Sequence, residues 1–313
     1  MRKRALAAIA CLIFGAGPLA ALPVEKCINL SNYLEVPKGD GWTYPHKPEH
    51  IDRIAEAGFD TLRLPVNAAD HWTGPALEPD FAARVQAVVD RARAAGLFVI
   101  VDLHHYDAFV SDPTANAGEF LDIWRALAAM FEGQGGLAFE LLNEPTAETN
   151  IDELLPLYTE ALAVIREKHP EAWVIYGGTH WNRLGKMLGL PRTDDPRVAH
   201  TFHYYQPGKF THQQAPWHDN PHPPRNWGSD EERAAVTADL ERAGAHHTPV
   251  FLGEFGVINA APRADRLAWI AHVRREAERA GLPWCHWGFG ARFGALDPAA
   301  DAWDQGVLDA LFD

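Results

Sequence analysis

The chain is poor in cysteine, with three in 313 residues at positions 11, 27 and 285. So sparse and widely spaced a set excludes a disulfide-dense small scaffold and a zinc-ligand spacing. Cations are also short, 28 Lys and Arg against 42 Asp and Glu, for a formal net charge of −14. That balance makes nucleic acid a poor partner, because phosphate binding needs a basic face. No glycine-rich loop follows the first apolar run, where Asn29-Leu30-Ser31-Asn32 stands instead, so a nucleotide-binding open sheet loses its main signature. No cofactor or metal is called for. Internal repeats, low-complexity tracts and Ser/Thr/Pro linkers are lacking, and with them any mark of an appended binding module.

An uninterrupted apolar run of about 20 residues, as a membrane span requires, is likewise missing. The N-terminus instead has Arg2, Lys3 and Arg4, an apolar stretch from Ala5 to Ile13, and small residues through Ala21, broken by Gly15, Gly17 and Pro18. This fits a secretory signal peptide over residues 1–22, cleaved between Pro18 and Leu22, and predicts a secreted or periplasmic protein with no stable membrane insertion. Cleavage leaves 25 cations against 42 anions, a net charge of −17. A neutral polysaccharide suits such a surface better than an anionic polymer. Two cysteines then remain, Cys27 and Cys285, which fit either a disulfide in an oxidising compartment or two small buried apolar groups.

What the sequence does contain is an alternation of short β-branched or aromatic runs with longer helical patterns, the mark of parallel βα units. Strands are predicted at Cys27–Asn32, Thr61–Pro65, Phe98–His104, Ala138–Asn143, Trp173–Gly177, Ala199–Tyr204, Val250–Glu254 and Trp284–Trp287. Helical stripes recur at Phe81, Val85, Val88, Val89 and Ala92, at Phe120, Trp124, Leu127 and Phe131, and at Leu154, Tyr158, Leu162 and Ile165. The fifth helix, over Asn182–Leu190, is short and interrupted by Gly185 and Gly189. Eight strands with interposed helices predict an α/β fold, a (β/α)8 TIM barrel, as a single domain over residues 23–313 and acting as a monomer. In a closed barrel Cys27 and Cys285 lie on neighbouring strands.

Function in such a barrel belongs where strands end and βα loops begin. Those ends carry Asn32, Arg63, His104 with His105, Asn143 with Glu144, His203 with Tyr205, Glu254, and Trp287. Glu144 and Glu254 stand out because each follows directly on an apolar strand, where a carboxylate is costly unless paired or functional. Cleaving an acetal needs one carboxylic acid to protonate the leaving oxygen and one carboxylate to meet the developing oxocarbenium ion. Arg63 beside one of the two would favour its ionised form, while burial and the first charge raise the other.

These stretches resemble glycoside hydrolase family 5, and its bacterial endoglucanases and cellulases in particular. The resemblance runs through Ile28 to Pro37, Gly58 to Pro65, Val101 to Tyr106, Asn143-Glu144-Pro145, Phe202-His203-Tyr204-Tyr205, Phe210-Thr211-His212-Gln213, Gly253-Glu254-Phe255-Gly256 and Trp287-Gly288-Phe289. It implies a retaining endo-β-glycosidase acting on β-1,4-glucan by double displacement, with Glu144 as acid/base and Glu254 as nucleophile. It further implies that Asn143 donates to the sugar 2-hydroxyl, that Arg63 and Tyr205 hold the nucleophile, and that His104, His203 and Trp287 shape the subsite of the distorted sugar. Asn32, Glu35, His105, His212 and Trp217 match loop positions that meet sugars in similar enzymes. Ser31 departs from the glycine usual there, which would narrow the first loop. Residues 215–230, rich in Pro, His and Trp, form a long loop expected to build the cleft.

An endo-β-mannanase, or an enzyme of mixed-linkage glucan or xyloglucan, is the nearest alternative activity. A metal-dependent barrel hydrolase is disfavoured because His246 and His247 precede the seventh strand, at the wrong end of a barrel. A non-catalytic glycan-binding protein would keep the aromatic residues and lose a carboxylate, whereas both are present.

Overall fold

The computed structural model describes residues 21–41, 44–297 and 299–313. The signal peptide expected over residues 1–22 falls almost wholly on residues 1–20, which lie outside the described residues. Eight parallel strands close a barrel in sequence order: β1 (Lys26–Asn29), β2 (Thr61–Val66), β3 (Phe98–Leu103), β4 (Leu137–Glu140), β5 (Trp173–Gly177), β6 (Val198–Tyr204), β7 (Val250–Phe255) and β8 (Trp284–His286). All eight coincide with predicted strands, so the expected fold is the observed one. β1 and β4 end earlier than predicted, so Asn32 and Asn143 stand in the loops beyond them.

The helices bury the predicted stripes. Pro79–Ala94 begins with Pro, whose fixed φ suits a first helical turn, and buries Phe81, Val85, Val88, Val89 and Ala92. Ala117–Met130 buries Phe120, Trp124 and Leu127, with Phe131 buried at its end. Ile151–Lys168 buries Leu154, Tyr158, Ala161 and Ile165 and leaves Leu162 only partly covered. Asp230–Gly244 opens on a capping box in which Ser229 and Glu232 satisfy each other's backbone N–H groups. A two-stranded hairpin, Leu296–Asp297 with Ala302–Trp303, and a last helix, Gln305–Phe312, follow β8. Among the described residues no helix is long and apolar enough to cross a membrane.

The barrel interior is layered. Its lower half is apolar, built from Cys27, Ile100, Ala138, Trp173, Ile175, Ala199, Phe251 and Cys285 and completed by Leu22 and Val24. Cys27 and Cys285 stand opposite each other in the β1–β8 register and form a disulfide, so the first and last strands are joined covalently. A bridge closing a loop of 258 residues restricts the unfolded chain strongly. Replacing both cysteines by alanine should therefore cost about 2–4 kcal/mol in denaturant unfolding; an unchanged midpoint and slope would contradict this.

Candidate active site

Above the apolar plug the interior turns polar, and Arg63 organises it. The guanidinium is wholly buried. Its Nε and Nη2 donate to the two oxygens of Glu140 at 2.7 and 2.9 Å, and Nη2 lies 3.1 Å from Asp102. Nη1 donates to Glu254 Oε1 at 3.0 Å and to Asn29 Oδ1 at 2.8 Å, while Nη2 also reaches Asn143 Oδ1 at 2.8 Å. One planar cation thus fixes groups from β1, β3, β4 and β7, which only the delocalised five-donor guanidinium can do.

Glu254 sits on β7, where the register shifts between Leu252 and Phe255. A bulge of this kind re-aims a side chain at a barrel rim. Gly253 permits it, since a Cβ there would come within 2.6 Å of Thr201 Oγ1 and 3.2 Å of His203 Nε2. Glu254 also accepts from the Tyr205 hydroxyl at 2.8 Å and lies 3.4 Å from His203 Nδ1. Glu144, one residue after Asn143 in the loop past β4, has its Oε1 2.5 Å from the same His203 nitrogen. Its side chain is 26% exposed against 5% for Glu254. One oxygen of each glutamate and a His203 nitrogen all lie within 4.8 Å of one another.

Burial pushes the Glu144 carboxyl up to about 8, Arg63 offsetting part of it while Asp102 and Glu140 add to it. Burial also raises Glu254, to about 7, against His203, Arg63 and the Tyr205 hydroxyl, which favour its ionised form. Glu254 accepts from Arg63 and Tyr205 while Glu144 meets His203, so of the pair Glu254 is the better placed to hold the negative charge and Glu144 the proton. Arg63 acts as anticipated on Glu254, but loss of hydration outweighs it.

The remaining predicted residues line the same cleft, a volume of about 1430 Å³. His104 donates from Nδ1 to buried Asp102 at 2.6 Å when that ring nitrogen carries its proton, and its ring lies parallel to Trp287 at 5.8 Å. His105, with a left-handed backbone at φ 55°, stands edge-on to His104 at 4.4 Å. Asn32 is also left-handed, at φ 63°. Glu35 is fully buried, and its carboxylate accepts from the backbone N–H groups of Asn32 and Tyr33, so it borders the cleft while bracing the first loop. His212 meets Tyr205 edge-on at 4.9 Å. Trp217, in the long loop before Asp230–Gly244, is 53% exposed on the cleft wall and not packed beneath the loop. Ser31 is buried against Gly288. His246 bonds His200 at 3.0 Å, remote from these groups in the loop before β7.

Glu140, Asp102, Trp181 and Asn182 belong to the site without standing among the residues expected there. A charge inside an apolar strand, as at Glu140 and Asp102, is itself a signal. Trp181, 45% exposed on the cleft wall, lies just before the expected fifth helix, and buried Asn182 is that helix's expected first residue. Residues Thr179–Asn182 instead form a turn with left-handed His180, Trp181 and Asn182.

A family model described as Cellulase (glycosyl hydrolase family 5) matches residues 26–292. Endoglucanase H of Acetivibrio thermocellus is 30% identical over 299 residues, covering 91% of this chain and 32% of its own length. Cellodextrinase A of Ruminococcus flavefaciens is 28% identical over 256 residues, covering 75% of this chain and 76% of its own. The chain thus spans about a third of the first relative and three quarters of the second. Among solved structures, the cellulose synthase subunit Z of Clostridioides difficile superposes with a TM-score of 0.88 at 31% identity, covering 93% of this chain and 100% of that one. Thermotoga maritima Cel5A in complex with mannotriose gives 0.87 at 30% identity, over 92% and 97%.

Proposed function

The chain belongs to glycosyl hydrolase family 5, and from that premise we propose that it is a retaining endo-β-1,4-glucanase with Glu144 as acid/base and Glu254 as nucleophile. The observation that carries the reading is the approach of the two carboxylates to within 4.8 Å, oxygen to oxygen. Retention needs carboxyl groups about 5–5.5 Å apart, whereas inversion leaves room for a water at about 6.5–9.5 Å.

In the first step Glu254 attacks the anomeric carbon, the bond to the leaving oxygen breaks, and Glu144 gives that oxygen its proton. Glu144, now ionised, then takes a proton from water, which displaces Glu254 and restores both groups. Arg63 and Tyr205 hold the Glu254 oxygens in line. Because Asn143 Oδ1 is engaged by Arg63, its amide N–H groups are left to donate to the sugar 2-hydroxyl. Trp287 offers a flat apolar face, and Trp181 and Trp217 extend aromatic surface along the cleft. A cleft of about 1430 Å³ walled by Trp181, Trp217 and Trp287 suits internal cleavage of a chain. Export fits the disulfide, which persists in oxidising compartments, and the signal-like N-terminus; residues 23–313 form the catalytic domain and act as a monomer.

The pH profile follows from the two carboxyls. Below about 7 Glu254 gains a proton and loses nucleophilicity; above about 8 Glu144 loses the proton it must donate. The kcat/KM profile should be a bell with its maximum between these limits, and a profile flat from pH 5 to 9 would contradict the pairing. The substrate is tested by product profiles on soluble β-1,4-glucan, mixed-linkage glucan, xyloglucan and mannan. Rapid loss of viscosity with cello-oligosaccharide release supports the reading; binding without new reducing ends would defeat it. The mannotriose bound by Thermotoga maritima Cel5A makes mannan the second candidate.

A further inference from the structure

We infer that the left-handed turn after β5 is a clamp on the acid/base, with Asn182 as a positioning residue that acts through the main chain on either side of Glu144. The inference rests on the assignment of Glu144 above.

Three consecutive residues without the freedom of glycine, His180, Trp181 and Asn182, have φ of 59°, 57° and 50°. Such conformations persist only where the surroundings over-determine them, and they gather at functional sites. Here the determinants all point to one place. The His180 N–H donates to Thr146 O at 3.0 Å and the Trp181 N–H to Pro145 O at 2.8 Å. The buried Asn182 side chain donates from Nδ2 to the carbonyl of Asn143. The three acceptors are residues 143, 145 and 146, so they bracket Glu144. Arg183, the next residue, forms a parallel bridge with His203, whose ring bonds the Glu144 carboxylate. The turn therefore anchors the backbone on either side of Glu144, and the residue that follows it pairs with the backbone of His203, whose ring orients the Glu144 carboxyl.

The local sequence is built for this approach. A Cβ at Gly177 would overlap the Asn182 amide, and one at Gly178 would come within 2.9 Å of the Lys186 backbone. Gly177, the last residue of β5, thus leaves the space through which the Asn182 side chain reaches the loop past β4, while Gly178 admits the backbone at Lys186. An acid must hold its proton on the leaving oxygen as the bond breaks, and a displacement of about 1 Å in such a group costs about 100-fold in rate.

The test uses Asn182→Ala, and Asn182→Leu, which keeps the volume against Gly177 while removing the donor without adding a charge. Each is assayed by kcat/KM on 2,4-dinitrophenyl β-cellobioside, whose leaving group needs no proton, and on cello-oligosaccharides, whose leaving group does. Glu144→Ala is measured in parallel. Both Asn182 variants should lose about 10- to 100-fold on oligosaccharides and less than about 3-fold on the dinitrophenyl substrate. An equal loss on both substrates, with Glu144→Ala discriminating between them, would overturn the positioning role and reduce Asn182 to a structural residue. No loss on either substrate would overturn it as well. Failure of Glu144→Ala itself to discriminate would instead overturn the assignment of the acid.

Discussion

Replacing Glu254 by Ala should lower kcat/KM by on the order of 10,000-fold or more, and sodium azide should then restore turnover of an activated aryl β-cellobioside as the inverted glycosyl azide. The structure explains why rescue is expected. Glu254 accepts from Arg63 at 3.0 Å and from Tyr205 at 2.8 Å. Truncation removes an anion from between a buried cation and a hydroxyl donor and leaves room for a small one. Azide entering there attacks from the face the carboxylate used, and no second carboxylate is placed to turn the product over again. Glycosyl azide in the products identifies the nucleophile; loss of activity without any azide adduct would count against the role.

The second large effect is on stability. Arg63 is the one guanidinium shared by Asp102, Glu140 and Glu254, all buried. Removing one partner of a buried ion pair costs about 3–5 kcal/mol, because the remaining charge stays desolvated. Arg63→Met should lose that much at pH 8, and Arg63→Lys should recover little, since a single ammonium cannot reach five acceptors. Burial already raises Asp102 to about 7 and Glu254 to about 7, with Arg63 opposing the rise in both. Without Arg63 their folded pKa values rise further above the unfolded ones. A group raised in this way binds its proton in the folded state first, so its contribution is intact at low pH and lost as pH rises. The deficit of Arg63→Met should accordingly shrink at pH 5. Equal deficits at both pH values, read by urea unfolding, would show that the carboxylates do not depend on Arg63.

How far the sequence foretold this arrangement depends on where each signal resides. The strands were readable because apolar β-branched runs and helical stripes are local patterns, and Phe81 to Ala92 or Val99 to Leu103 bury as their spacing demands. Glu144 and Glu254 were readable because a carboxylate at the end of an apolar strand is costly. Asp102 and Glu140 carried the same kind of signal, but their meaning depends on register. β3 and β4 place them side by side, and Arg63 reaches both only once the barrel closes. Asn182 left no local trace at all. Left-handed backbone at three non-glycine residues is imposed by acceptors near Glu144, so the stretch looks like a poor helix until the loops meet. Trp217 could equally have been a buried packing residue, and its exposure on the cleft wall is a property of the long loop's path.

The central claim is double displacement by Glu144 and Glu254, and proton NMR of a cello-oligosaccharide digest tests it most directly. The newly formed reducing ends should appear first as the β-anomer, with the α-anomer growing in only by mutarotation. Initial appearance of the α-anomer would mean a single displacement by water and would contradict the assignment of Glu254 as nucleophile.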